Sequence, residues 1–218
     1  MKIYHFLSEK WAFEALKKQR IKLSRFDNLN DPFELMAMSL EDEFERKIMI
    51  DSKDKINNRV RLLCCSKAWV SPLLWGNYAD KHRGIALELE VPDYAISPIT
   101  YEEDRPPFDL RTLKESNDVE ALNKLFTTKY KQWSYEEEVR VLFTKDDFFS
   151  SGGMDFHKLG NEIKLVGLVL GPLNKAKLKD ISSNIPKGME IEITTTRTAF
   201  RSFGVVHQKE KPPFALVG

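Results

Sequence analysis

The chain has few cysteines and no long apolar run, and both shortages restrict what kind of protein it is. Its only cysteines, Cys64 and Cys65, are adjacent, and two are too few for a disulfide framework. Their apolar neighbours favour a structural role for the pair over a redox role. No run of about 18 apolar residues is present, which argues against a transmembrane helix. The first residues also lack the features of a signal peptide, so a cytoplasmic location is the default prediction.

A surplus of charge of one sign is also missing. The chain has 34 Lys and Arg residues against 33 Asp and Glu residues, which gives a net charge of +1. A general nucleic-acid binder needs a basic surplus to neutralise phosphates, so that function is disfavoured unless a local patch supplies it. With 218 residues, of which 42% are hydrophobic, the composition predicts one folded globular domain.

Several common functional motifs are absent. There is no glycine-rich phosphate loop of the dinucleotide-binding or P-loop type, and no Gly-x-Ser-x-Gly sequence. The four histidines and two cysteines do not have the spacing of a zinc site. The sequence therefore predicts no metal centre.

Hydrophobic periodicity predicts roughly seven or eight strands and four or five helices in irregular order. Because regular β-α-β alternation and internal repeats are missing, the predicted fold is α+β, with one domain over residues 1–218 and a mixed or mostly antiparallel sheet flanked by helices. The patterns predict strands over 2–6, 60–66, 84–91, 96–101 and 138–144, helices over 73–79 and 119–130, a loop over 102–117, and a tail over about 208–218.

The segment from Trp133 to Arg140 is the most informative part of the chain. If it is extended, Glu136, Glu138 and Arg140 share one face of a strand. Charged side chains on a sheet face must be exposed to water, form ion pairs or take part in function. An exposed ladder of ion pairs is one explanation. The other is a carboxylate that stabilises positive charge developing on a sugar, and the aromatic residues just ahead favour it.

Three shorter segments supply further candidate site residues. His5, between Tyr4 and Phe6, can donate a hydrogen bond to a ribose or carbonyl oxygen, or it can be a satisfied core histidine. Trp75 and Tyr78 have helical spacing, which is typical of a core stripe but also suits a stacking platform for a flat ring.

The loop from Arg25 to Glu34 is the third of these segments. Its Asn and Asp residues are typical of a loop that orders its own backbone. In the functional alternative, Arg25 holds a phosphate and Asn30 or Asp31 lines a pocket.

Four segments, in the order in which they occur along the chain, resemble a widespread bacterial family, the domain-of-unknown-function family 2971. They are Tyr4-His5-Phe6, Asn30-Asp31-Pro32-Phe33-Glu34, Trp75-Gly76-Asn77-Tyr78-Ala79 and Trp133 to Arg140.

More loosely, a His in the first strand, a Tyr on a short helix and a Glu opening a later strand resemble the His-Tyr-Glu triad of ADP-ribosyltransferases. The resemblance implies that NAD lies across a split sheet, with His5 on the ribose, Tyr78 on the nicotinamide and Glu138 stabilising the oxocarbenium ion. Glu136 would help to activate the acceptor. The residues that would surround NAD are Tyr4, Arg25, Asn30, Asp31, Ser66, Trp75, Trp133 and Arg140.

The sequence departs from that superfamily at two points. Phe6 follows His5 where poly-ADP-ribosylating enzymes have Gly, and Cys64-Cys65-Ser66 stands where arginine-directed toxins have a Ser-Thr-Ser strand.

Two other functions stay open. The same pocket suits a non-enzymatic module that binds a nucleotide or a partner. A nuclease that uses Asp31, Glu136 and Glu138 with Mg²⁺ is the weaker alternative. The sequence does not distinguish a protein, nucleic-acid or water acceptor, or a toxin from a phage-defence effector or a housekeeping factor.

Overall fold

The structure, a computed structural model, describes residues 1–36, 39–40, 43–106 and 119–218. The strands are β1 (Lys2–Leu7), β2 (Arg20–Lys22), β3 (Arg61–Ser66), β4 (Ile85–Glu90), β5 (Ser97–Pro98), β6 (Thr100–Glu102), β7 (Thr128–Tyr130), β8 (Glu138–Phe143), β9 (Phe149–Ser151), β10 (Met154–Lys158), β11 (Lys164–Leu170), β12 (Glu190–Thr198), β13 (Val205–His207) and β14 (Phe214–Val217). The helices are α1 (Glu9–Lys18), α2 (Glu43–Arg59), α3 (Pro72–Tyr78), α4 (Val119–Thr127) and α5 (Leu178–Ser182), with 3-10 turns over Phe26–Asn28, Asp93–Ala95 and Lys131–Glu136.

The main sheet has the order β13-β12-β11-β4-β1-β3-β8-β5, and β14 also pairs with β12. Its strand pairs are antiparallel except for β11 with β12, which is parallel. The prediction of a single α+β domain with a mostly antiparallel sheet is therefore confirmed. Within the described residues, the helices are all too short or too polar to cross a membrane.

Both faces of the sheet are covered, and alternate residues of β4 show this. Leu87 packs on one face in a core that includes Ala12 and Leu16 of α1. Ala86 packs on the other face with Trp75 of α3, whose indole N–H donates to a backbone carbonyl at 2.6 Å. Because α1 and α3 lie against opposite faces, side chains of β1 are directed toward two different layers.

A gap between β1 and β3 interrupts the sheet. These strands pair at one position only, Tyr4 opposite Ser66. Farther along β3, Leu62 pairs with Ser24 instead. Where the two strands diverge, the His5 Nδ1 atom is 2.8 Å from the Cys64 carbonyl oxygen. The sheet is thus divided next to His5, and a cavity lies at this gap.

Several predicted boundaries are wrong. The end of the chain is not a tail, because Phe214–Val217 forms β14 and pairs with β12 at four positions. The helix predicted over 119–130 ends at Thr127 and is followed by the short strand β7. The strand predicted over 96–101 is broken into β5 and β6. Residues 107–117 of the predicted loop lie outside the described residues.

A glycine fixes the start of β4. A Cβ atom on Gly84 would lie 2.1 Å from the carbonyl oxygen of Leu7, which belongs to a paired strand and cannot move away. We expect Gly84→Ala to lower the free energy of unfolding by about 1–3 kcal/mol, as overpacking does. Gly160→Ala is the matched control, because a Cβ there meets nothing within 4 Å. Urea denaturation of both variants checks this, and equal stabilities would contradict it.

Candidate functional site

A cavity of about 270 Å³, here called the gap cavity, lies where β1 and β3 diverge. The four predicted catalytic residues, His5, Tyr78, Glu136 and Glu138, all line it. They come from β1, α3, a 3-10 turn and β8 respectively. Three residues predicted to bind NAD also line it, and so do several that were not predicted. The first set is Tyr4, Asn30 and Ser66, and the second includes Glu34, Lys129 and Cys64.

Arg140 lies behind the cavity wall and is completely buried. Its guanidinium donates to both oxygens of Glu34, at 2.9 and 2.5 Å, and to both oxygens of Glu138, at 2.8 and 3.3 Å. A further bond to the Phe126 carbonyl is 2.8 Å long. With its donors used inside the protein, Arg140 holds the two carboxylates and cannot itself bind a cofactor.

Lys129 lies between the carboxylates of Glu136 and Glu138. Its Nζ atom is 2.7 Å from Glu136, 3.1 Å from Glu138 and 3.9 Å from Glu34, and its side chain is only 4% exposed. The ring of Trp133 covers the ammonium group at 4.8 Å from the ring centroid. Lys129 is therefore the cation that Glu136 and Glu138 share.

The buried cluster carries surplus negative charge when all its groups are ionised. It contains three carboxylates, Glu34, Glu136 and Glu138, and two cations, Lys129 and Arg140. The balance is one negative charge in a place where water screens little. A positively charged group next to the cluster would be stabilised by this surplus, whereas a phosphate at that same position would be repelled.

The pKa values of two carboxyls shift in opposite directions. Burial raises the pKa of Glu138, but the charges of Arg140 and Lys129 outweigh this effect and lower it overall. Burial also raises the pKa of Glu34, and there the charge of Arg140 does not compensate fully. Glu138 is thus held ionised, and Glu34 is the carboxyl that takes up a proton more readily.

Tyr78 is held by its hydroxyl group. The hydroxyl donates to Glu136 and accepts a 2.7 Å hydrogen bond from the Asn30 side-chain amide. Burial, followed by the bond to Glu136, raises the pKa of Tyr78, so the phenol stays neutral. The ring is half-buried at the cavity wall, where a flat group can pack against it.

His5 has a defined hydrogen-bonding pattern. A carbonyl oxygen can only accept, so the Nδ1 atom, 2.8 Å from the Cys64 carbonyl, must carry the proton. Burial lowers the pKa of His5, which keeps the ring neutral and leaves Nε2 as an acceptor. The prediction that His5 donates to a ribose or carbonyl oxygen of a ligand is therefore wrong, because its one ring proton is donated to Cys64 and only the acceptor Nε2 is left.

Cys64 lies between His5 and Glu138. Its carbonyl oxygen lies 2.8 Å from the His5 Nδ1 atom, and its thiol is near enough to the Glu138 carboxylate to help lower the pKa of Glu138. Burial, together with the charge of Glu138, raises the pKa of the thiol well above its usual value. The Cys64 thiol therefore stays neutral beside Glu138.

The strand begins at Glu138, as predicted, and the alternative in which the segment is already extended at Glu136 does not hold. Lys131–Glu136 forms a 3-10 turn, and Glu137 has a φ of 43°, in the left-handed region. The strand begins only at Glu138. This left-handed residue redirects the chain, so Glu136 reaches the cavity from the turn.

Five of the residues predicted to bind NAD do not line the gap cavity, and each has another role. Arg25 is paired with Asp27 at 2.8 Å on the surface. The Asp31 carboxylate accepts a 2.9 Å bond from the Phe33 backbone and orders its own loop. Trp75 is fully buried in the core, Trp133 covers Lys129, and Arg140 lies beneath Glu138.

Two central members of the cluster, Glu34 and Lys129, were not predicted as site residues. Glu34 ends the loop segment quoted for the family resemblance, which was its only signal. Lys129 lies in the segment 119–130, which was predicted as a helix. Nothing in the helical pattern indicated that its side chain faces the site.

Among the residues described, no group of three or more His, Cys, Asp and Glu side chains is arranged to hold a metal ion. The acids of the nuclease alternative do not converge, because Asp31 lines a neighbouring cavity with Phe33 and Arg105 and does not reach Glu136 and Glu138. No family model, curated protein or solved structure matches the chain. Its function must therefore be argued from its own residues.

The two pKa shifts predict opposite effects of pH on stability. The lowered pKa of Glu138 means that its ionised form stabilises the fold above the ordinary carboxyl pKa of about 4.3, and this contribution is lost as the pH falls below it. The raised pKa of Glu34 means that the fold favours its protonated form, so ionisation above about pH 4.3 costs stability.

We therefore expect the wild-type advantage over Glu138→Gln to shrink as the pH falls below about 4.3, and its advantage over Glu34→Gln to shrink as the pH rises above that value. Urea denaturation across the pH range measures both trends. The same trend in both variants would contradict the assignment of charge within the cluster.

Proposed function

We propose that the chain binds NAD and breaks the bond between nicotinamide and ribose, as an ADP-ribosyltransferase or an NAD glycohydrolase. The observation that carries the proposal is that His5, Tyr78 and Glu138 line one cavity beside a cluster with surplus negative charge. The breaking bond leaves positive charge on the ribosyl group, and a fixed anion in a poorly hydrated site stabilises such charge most.

Glu138 is the proposed catalytic carboxylate. Nicotinamide leaves with the electron pair of its bond to the ribose and becomes neutral, while the ribosyl group becomes an oxocarbenium ion. Arg140 and Lys129 fix the Glu138 carboxylate, so little reorganisation is needed as the charge develops. The nucleophile of the acceptor then adds to the ribosyl carbon and releases a proton.

His5 and Tyr78 position the substrate in this proposal. The free Nε2 atom of His5 accepts a hydrogen bond from a ribose hydroxyl. The Tyr78 ring packs against the nicotinamide, and its hydroxyl keeps the ring in place through Glu136 and Asn30. A neutral His and a neutral Tyr suit this task because neither adds positive charge next to a cationic ring.

Glu136 has a supporting role in the free protein. One of its oxygens accepts from Tyr78 and the other from Lys129 at 2.7 Å. Activation of an acceptor by Glu136 would require one of these bonds to open. Glu136 is therefore proposed first as the residue that orients Tyr78. Protein, nucleic acid and water stay open as acceptors.

The second candidate function is a module that binds NAD, or a related nucleotide, without turnover. The full engagement of Glu136 and Glu138 by Lys129 and Arg140 favours it, because these carboxylates are satisfied without a substrate. Calorimetric binding of NAD without release of nicotinamide would support this function over catalysis.

We expect Glu138→Gln to abolish most nicotinamide release. The loss should be about 100- to 1,000-fold in kcat, which is typical when one preorganised electrostatic group is removed. Chromatographic measurement of nicotinamide from NAD tests this. Circular dichroism and thermal unfolding establish that the variant is folded.

Glu103→Gln is the matched control, because Glu103 is exposed and, among the described residues, its ion pair is with Lys131 at 2.7 Å. Its release rate should equal that of the wild type. Tyr78→Phe, which keeps the ring and loses the hydroxyl, gives a second test with less disturbance of the charges. Unchanged release in both Glu138→Gln and Tyr78→Phe would overturn the proposed catalysis.

A further inference from the structure

A second cavity, of about 190 Å³, lies beside α1 and is here called the α1 cavity. It is lined by Trp11 and Glu14 of α1, by Arg20 and Lys22 of β2, and by Phe156 of β10. Its charge differs from that of the gap cavity, because two cations face it and its one carboxylate is paired elsewhere. Glu14 is 2.6 Å from Lys18 on its own helix.

Arg20 packs over an aromatic ring. Its guanidinium carbon lies 3.9 Å from the centroid of the Phe156 ring, which is itself buried. This contact holds the guanidinium group against the ring. Within the described part of the chain no carboxylate lies within 4.0 Å of Arg20 and no hydrogen-bond acceptor takes its N–H groups. A guanidinium with unused donors is suited to a phosphate, which it can bind through two parallel bonds.

Lys22 is placed next to Arg20 by the strand. The two side chains are two residues apart on β2 and so share a face, and Lys22 lies opposite Phe156 in the pairing with β10. The Lys22 Nζ atom is 5.9 Å from the centroid of Trp11. The described residues offer Lys22 no carboxylate partner either. Two cations and an indole ring therefore surround one small space.

We propose that the α1 cavity binds a phosphate ester of a small, ring-bearing molecule. Arg20 and Lys22 would hold the phosphate, and the Trp11 indole would contact the ring. At about 190 Å³ the cavity is smaller than the gap cavity, and it suits a phosphoryl group with part of its organic substituent. Its small size argues for a small ligand over a polynucleotide.

This site is separate from the proposed NAD chemistry, although the two cavities are adjacent. His5 and Ser24 line both of them. The gap cavity has surplus negative charge and the α1 cavity has surplus positive charge, so we do not expect the same group to bind in both. The proposal of a phosphate site in the α1 cavity can therefore be tested separately from nicotinamide release.

Isothermal titration calorimetry on the full chain tests the proposal with two probes, adenosine monophosphate and ribose 5-phosphate. Both carry a phosphate monoester, and only the first carries a flat ring. Adenosine monophosphate should bind more tightly, and Trp11→Leu should remove that difference. Arg20→Gln and Lys22→Gln should each weaken both probes about tenfold or more, as loss of a charge-assisted hydrogen bond does.

Lys17→Gln is the matched control, because Lys17 is exposed on the same helix and does not line the cavity. It should leave both affinities unchanged. If Arg20→Gln fails to fold, Lys22→Gln on the exposed strand edge still decides the question. Binding that is unchanged in Lys22→Gln, or equally weakened in Lys17→Gln, would overturn the site. Binding of a single-stranded oligonucleotide without binding of either probe would overturn the choice of a small ligand.

Discussion

The site depends on one buried guanidinium. Arg140 binds Glu34, which lies 106 residues earlier in the chain, and Glu138, which lies on its own strand. Removing one partner from such a buried pair typically costs about 3–5 kcal/mol, because the other charge stays buried without compensation. A whole domain has a stability of only about 5–15 kcal/mol. The loop that carries Glu34, the strand β8 and the orientation of Glu138 are therefore linked through this side chain.

Stability alone does not explain the cluster. A well-packed apolar group of similar volume is often as stabilising as a buried ion pair, or more so. Here five charged side chains share one buried region and leave it with a negative surplus beside a cavity. The divergence of β1 from β3 opens that cavity directly next to Glu138, and His5 and Tyr78 reach it from opposite layers of the sheet. An arrangement with this energetic cost supports the proposal of a ligand that brings positive charge.

Local patterns predicted much of the fold, while the contacts of the site came from long-range packing. The strands β1, β3, β4 and β8 were predicted because apolar residues alternate or run together there. The strand β14 was missed because a pair of prolines just before it suggested a tail. His5, Tyr78 and Glu138 were chosen as candidates from residue type and order, and they line one cavity. Arg25 was predicted to bind a phosphate, but in the structure it forms an ion pair with Asp27, two residues away. The pairing of Glu34 with Arg140 has no local signal, because neither the loop nor the strand specifies its partner.

The central claim is that the gap cavity is built to hold positive charge, and one comparison of ligands tests it most directly. NAD has a cationic nicotinamide ring, whereas NADH has a neutral ring of nearly the same shape. Calorimetric titration of the wild-type chain should show NAD binding about tenfold or more tightly than NADH, because the surplus negative charge lies within a few ångströms of the ring. The preference should shrink in Glu34→Gln, which removes the surplus. Equal affinities, or tighter binding of NADH, would contradict the claim.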